Sequence, residues 1–147
     1  MVQTKLSSRL KKIEADLDQI KTEFLINMVE DIVNITIIDN DKNKPAVDTG
    51  AYIESHSVKA TRGAGRARSS RNKPQNQDPS AKAAEALSML MEDIASLPKD
   101  APDIYLSNNS PHASLVEFTH GYNVYGIARN RAKIHLENAK NKVRGSP

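Results

Sequence analysis

Few residues in this chain are of types and spacings that could do chemistry. Asp48-Thr49-Gly50 is a triplet of the kind that supplies one carboxylate to a pair sharing a proton. A second carboxylate would have to come from another copy, and the apolar residues that flank such sites are absent. The triplet therefore reads as a turn, in which Asp48 or Thr49 caps a short helix and Gly50 lets the backbone bend ahead of Tyr52 and Ile53. His56, His112, His120 and His135 form no pair at helical ligand spacing, so each reads as structural. Arg62-Gly63-Ala64-Gly65 has the glycines of a phosphate loop but is flanked by bases and not by the combination of a strand and a helix start. Asp39 and Asp41 alternate as in a calcium loop that lacks its central Gly and terminal Glu. With no Cys in the chain, thiolate catalysis, disulfides and Cys-ligated zinc are excluded. A protein without catalysis, cofactor or metal is the expectation.

The charged residues are more suggestive. Arg62, Arg66, Arg68, Arg71 and Lys73 lie among Gly, Ser, Asn, Gln and Pro in the stretch 61–80, whose one acid is Asp78. Such a segment has little apolar area to set against the entropy of ordering and is expected to be a mobile basic loop. Either it is a solvated excursion or it orders against an acidic neighbour or nucleic acid. No aromatic residue is interleaved for base stacking, which argues against sequence-specific reading. Arg129, Arg131 and Lys133, followed by Lys140, Lys142 and Arg144, make the C-terminal helical stretch the most basic element, either as a solvated face or as a contact surface.

The elements that must position these residues are led by an N-terminal helix over 4–38. Leu6, Leu10, Ile13, Leu17, Ile20, Phe24, Met28 and Ile32 recur in steps of three and four, which places them on one stripe. At about 1.5 Å per residue the helix is roughly 50 Å long, more than a small core requires. It lies along its own domain throughout, or its first turns project and pack on another subunit. Lys5, Arg9, Lys11 and Lys12 precede Glu14, Asp16, Asp18 and Glu23, an order opposed to the helix dipole; a partner surface would account for it. Ile35-Thr36-Ile37-Ile38 is the last turn or a short strand. Strands are expected at His56–Ala60 and Asp103–Ser107. A second helix begins at Asp78-Pro79 and buries Ala83, Leu87, Leu90, Met91 and Ile94. A third runs from Tyr125 to Val143 with Ala128, Ala132, Leu136, Ala139 and Val143 on one face. Residues 145–147 are a frayed tail.

The 147 residues, of formal net charge +3, fit one α+β domain spanning 1–147, its long N-terminal helix and two further helices packed on a small antiparallel sheet. With 38% hydrophobic and 4% aromatic residues the core is aliphatic and thin, and oligomerisation would add to its stability. Neither a signal peptide nor a membrane-spanning run is recognisable, so the expected setting is a cytoplasm with no membrane partner.

Two stretches carry a resemblance. Pro45-Ala46-Val47-Asp48-Thr49-Gly50-Ala51-Tyr52-Ile53-Glu54-Ser55, and later Ile104-Tyr105-Leu106-Ser107-Asn108 with Pro111-His112-Ala113-Ser114-Leu115-Val116-Glu117-Phe118, resemble the tail-completion and head-to-tail joining (neck) proteins of long-tailed bacteriophages, the group that includes minor tail protein Z. Asp48, Thr49, Gly50 and Ser55 match the first motif of that group. Ala113, Val116, Glu117 and Phe118 match the second. His112 departs from the usual Tyr, and Thr119-His120 separates Phe118 from Gly121 where the family places Gly next. The resemblance implies a virion structural protein, made in the host cytoplasm and residing at the neck. It would form a homo-oligomeric ring, commonly sixfold, between the connector and the tail tube or its terminator, with passive contact to DNA in the channel. It also implies that Asp48 and Thr49 fix a turn, that Glu117 and Phe118 hold the sheet to the long helix, and that the arm and the C-terminal helix make the contacts. On that reading, deleting 66–72 leaves the monomer folded and abolishes joining. The rival is a small basic nucleic-acid-binding protein that uses loop 62–73 and the C-terminal helix.

Overall fold

The computed structural model describes residues 2–38, 45, 50–70, 74–119 and 121–145. Asp48, Thr49, Arg71 and Lys73, together with His120 and the last two residues of the expected tail, lie outside them. Helix α1 (Val2–Thr36) is the spine. It includes Thr36 and ends before Ile37-Ile38, which add no strand. Gly50 then leads into one turn of helix, α2 (Ala51–Glu54), and strand β1 (His56–Lys59). The basic loop connects β1 to helix α3 (Pro79–Ala95), and strand β2 (Tyr105–Asn108) follows. The two strands pair antiparallel, His56 opposite Asn108 and Lys59 opposite Tyr105. A π-helical turn (Leu115–Thr119) leads to α4 (Val124–Asn130) and α5 (Ala132–Arg144). The fold is α+β, as the sequence implies. The expected third helix is broken at Arg131, which caps α4 at its end and α5 at its start.

Helix α3 starts as its sequence dictates, with Asp78 accepting a hydrogen bond from the Ala81 N–H and Pro79 at the first helical position. Its fully buried line is Ala83, Ala86, Leu90 and Asp93, while Leu87, Met91 and Ile94 pack at the margin. One apolar cluster joins Leu25, Val29 and Val33 of α1 to Ile53, Val58, Ala86 and Leu90. A second joins Met28, Ile32 and Ile35 to Tyr52, Val124 and Ala128, and Leu106 packs against both. The alanines at 128 and 139 are buried, which lets α4 and α5 approach the spine closely.

The spine is not covered along its length. Ile20, Met28 and Ile32 are buried and Phe24 is partly so, yet Leu6, Leu10, Ile13 and Leu17 on the same stripe are each 53–58% exposed. Of the two expectations for α1, the projecting helix is the one observed.

Candidate assembly surface and the polar centre beneath it

The body of the fold, at the far end of α1 from its exposed stripe, holds a buried polar centre around His56. The Thr36 hydroxyl donates to the carbonyl of Ile32 at 2.7 Å, so its oxygen is left to accept from His56 Nε2 at 2.9 Å. Nδ1 is then the acceptor, taking the Tyr125 hydroxyl at 2.7 Å with the Asn108 amide beside it at 3.2 Å. The ring is thereby assigned as the neutral Nε2–H tautomer. Burial, helped by the nearby Arg66 guanidinium, lowers the His56 pKa to about 3. With both nitrogens engaged and 1% of the residue exposed, His56 joins α1, the sheet and α4 and has no face left for a substrate.

Tyr52 meets the His56 ring edge-on, with centroids 5.0 Å apart. Burial, then the charge of Glu117, holds its hydroxyl well above the usual phenol range, and that hydroxyl is buried without a partner among the described residues. Tyr52 and Tyr125 back an open pocket of about 250 Å³ whose other walls include Ala113, Glu117 and Phe118. Glu117 is half-buried and accepts the Tyr125 N–H at 2.7 Å, so its carboxylate caps the start of α4. Asn123, the residue at that cap, has φ 49° and makes no side-chain cap bond of its own. Phe118 is 77% exposed on the π-helical turn. It therefore does not hold the sheet to the spine: the turn aims Glu117 inward and leaves its neighbour outside.

The first part of the basic loop is tied down through Arg66 and Arg68, where a mobile arm is expected. Arg66 forms a two-pronged ion pair with Asp93, Nη1 to Oδ1 at 2.8 Å and Nη2 to Oδ2 at 2.9 Å, and also donates to the carbonyls of Glu54 and His56. Asp93 further accepts the Val58 N–H at 3.0 Å and Lys59 Nζ at 3.1 Å. Burial alone would raise its carboxyl pKa; the hydrogen bonds from Arg66, the Val58 N–H and Lys59 outweigh that and hold it below the usual range. Ser57 Oγ accepts the Arg66 N–H and Ser55 Oγ the Arg68 N–H, both at 2.8 Å. Ser55 is thus an anchor for the arm's backbone. Composition alone suggests a segment too polar to order, but one ion pair and two serines suffice for its first part. A deletion of 66–72 would remove that anchor along with the arm, leaving Asp93 with Lys59 and the Val58 N–H.

The other motif and contact residues divide. Gly50 has φ 85°, and a Cβ there would lie 2.9 Å from Cδ of Lys82, whose ammonium is held by Glu54 at 2.9 Å. Arg131 reaches Asp31 at 2.8 Å, a carboxylate that also meets His135 Nε2 at 2.8 Å, so this cation straps the α4–α5 junction to the spine. Lys142 does the same farther along through Glu23 at 2.9 Å. Arg62, Arg129 and Lys133 are exposed, as is Arg68, whose backbone alone is anchored. Asp31 and Asp93 were missed in the sequence. The available signal was an acid falling in line with apolar residues on a helix, which calls for a buried cation or donor. Among the described residues no group of three metal-ligating side chains comes together, and no helix is long and apolar enough to cross a membrane.

The chain matches no family model, no curated protein and no solved structure.

Proposed function

We propose that this is a non-enzymatic virion structural protein, a tail-completion or head-to-tail joining component that forms a homo-oligomeric ring at the phage neck. The observation that carries the assembly part of this reading is the spine. A helix that buries one half of its apolar stripe in its own core and leaves the other half exposed presents a surface made for another protein. Phe118, exposed at the mouth of the Tyr52–Tyr125 pocket, offers a second contact point, in one of the two stretches that resemble the neck proteins. The role of Arg66 and Arg131 within the monomer removes two bases from the rival nucleic-acid reading.

The test is electron microscopy of lysates from a phage in which this gene is disrupted, with the wild-type gene supplied in trans as control. Filled heads beside finished, unattached tails are expected. Joined, intact particles would overturn the proposal, and DNA affinity that falls steeply with salt would then favour the nucleic-acid reading.

A further inference from the structure

We infer that the projecting half of α1 pairs antiparallel with the same segment of a second copy of this chain. Leu6, Leu10, Ile13 and Leu17 step by four, three and four residues, the spacing of a helix-pair seam. In the antiparallel register that sets Leu6 against the second copy's Leu17 and Leu10 against its Ile13, the four exposed apolar positions of each helix cover those of the other. The apolar overlap runs from Leu6 to Leu17, and beyond it only the first turn of each helix, 2–5, lies alongside 18–21 of the other, where the protein's own core takes over the stripe at Ile20.

Charge supports the same register. Arg9 and Asp16 flank the seam on one side and have no partner in the monomer among the described residues. Antiparallel pairing sets Arg9 beside the second copy's Asp16 and Asp16 beside its Arg9, two equivalent pairs related by the two-fold axis. The unusual order of charges along the helix, bases before acids, is what lets one segment complement itself head to tail. A parallel pair also finds opposite charges, Arg9 against Glu14, but its geometry fails. Beyond Leu17 each helix carries its own body on the stripe, at Ile20, Phe24 and Met28, so parallel partners would bring two bodies into one space.

Eight side chains of this size, each more than half exposed, offer about 800 Å² for burial, less than the roughly 1,200–2,000 Å² of a standard stable interface. The pair is therefore weak and dissociates on dilution. A two-fold contact closes on itself, so any ring must close through another face. The inference uses the same exposed stripe as the neck reading and assigns it a second copy; the lysate experiment reads joining and not pairing, so the failure of one is distinguishable from the failure of the other.

The test uses the full chain, which has no cysteine of its own. Chains carrying Leu6→Cys and Leu17→Cys are oxidised each alone and, in a further sample, together as an equal mixture. The expected result is a disulfide dimer in the mixture and little in either chain alone. In sedimentation equilibrium, Leu10→Asp should hold the chain at one copy, and at a concentration too low for the unaltered chain to pair it should leave the urea midpoint where it is, because that side chain lies outside the core. Arg9→Glu and Asp16→Arg should each weaken pairing about tenfold, and their combination should restore it. A single copy of the unaltered chain at every concentration would overturn the inference, as would disulfide dimers formed by Leu6→Cys alone.

Discussion

Replacing Arg66 by alanine separates an anchored arm from a mobile one. The guanidinium it removes is 18% exposed and pairs with a carboxylate that is 6% exposed, so the variant leaves Asp93 buried with one partner fewer. Breaking such a pair typically costs about 3–5 kcal/mol. Lys59 and the Val58 N–H stay on Asp93, and water can reach the freed carbonyls of Glu54 and His56 once the loop lifts, which places the expected loss near the lower end, about 3 kcal/mol. For a chain of this size that lowers Tm by about 6–12 °C and the urea midpoint by about 1–2 M. Amide exchange supplies a local readout: the Arg66 and Arg68 N–H groups, held by Ser57 and Ser55, should be protected in the unaltered protein, and that of Arg68 should lose protection in the variant. A loss below about 0.5 kcal/mol, as for an ordinary surface substitution, would refute the anchoring.

Two further outcomes follow from residues buried in the body of the fold. The folded pKa of His56 is about 3 against an ordinary 6.5, so between those values the unfolded chain binds a proton that the native state does not. Stability is then full above pH 6.5 and is lost on acidification, by about 2 kcal/mol at pH 5 and more towards pH 3; Asp93, depressed by its partners, adds loss of the same sign below the usual carboxylate range. Urea unfolding at pH 7, 6 and 5 measures this, and an unchanged midpoint would contradict a neutral His56. Gly50→Ala places a Cβ at φ 85° against Lys82 and should cost about 1–3 kcal/mol, read as a lowered Tm.

Local signals were legible in the sequence and long-range pairings were not. The Asp78-Pro79 start of α3 needs only neighbouring residues, and it formed as read. The stripe of α1 was also visible, but periodicity reports which positions share a face and not whether anything covers it, so Leu10 and Met28 looked alike. Arg66 was one base among several in a polar run. Only its meeting with Asp93, 27 residues on, distinguishes it from Arg62. Phe118 and Glu117 are adjacent, and their roles depend on a π-helical turn that no residue pattern announces. Arg131 looked like part of a basic surface until Asp31, a hundred residues earlier on the spine, gave it a partner.

The ion pair between Arg66 and Asp93 also bears on how the sheet ends. With two strands in the sheet, β1 has β2 on one side and would present bare peptide groups on the other, where a stray strand from another molecule could add. The groups that point that way include the carbonyl of His56 and the N–H of Val58. Arg66 donates to the first and Asp93 accepts from the second, so the two side chains stand where the peptide groups of a third strand would be. Nothing further can dock on this edge by backbone pairing until that cover is displaced. The sheet is closed to extension on its β1 side.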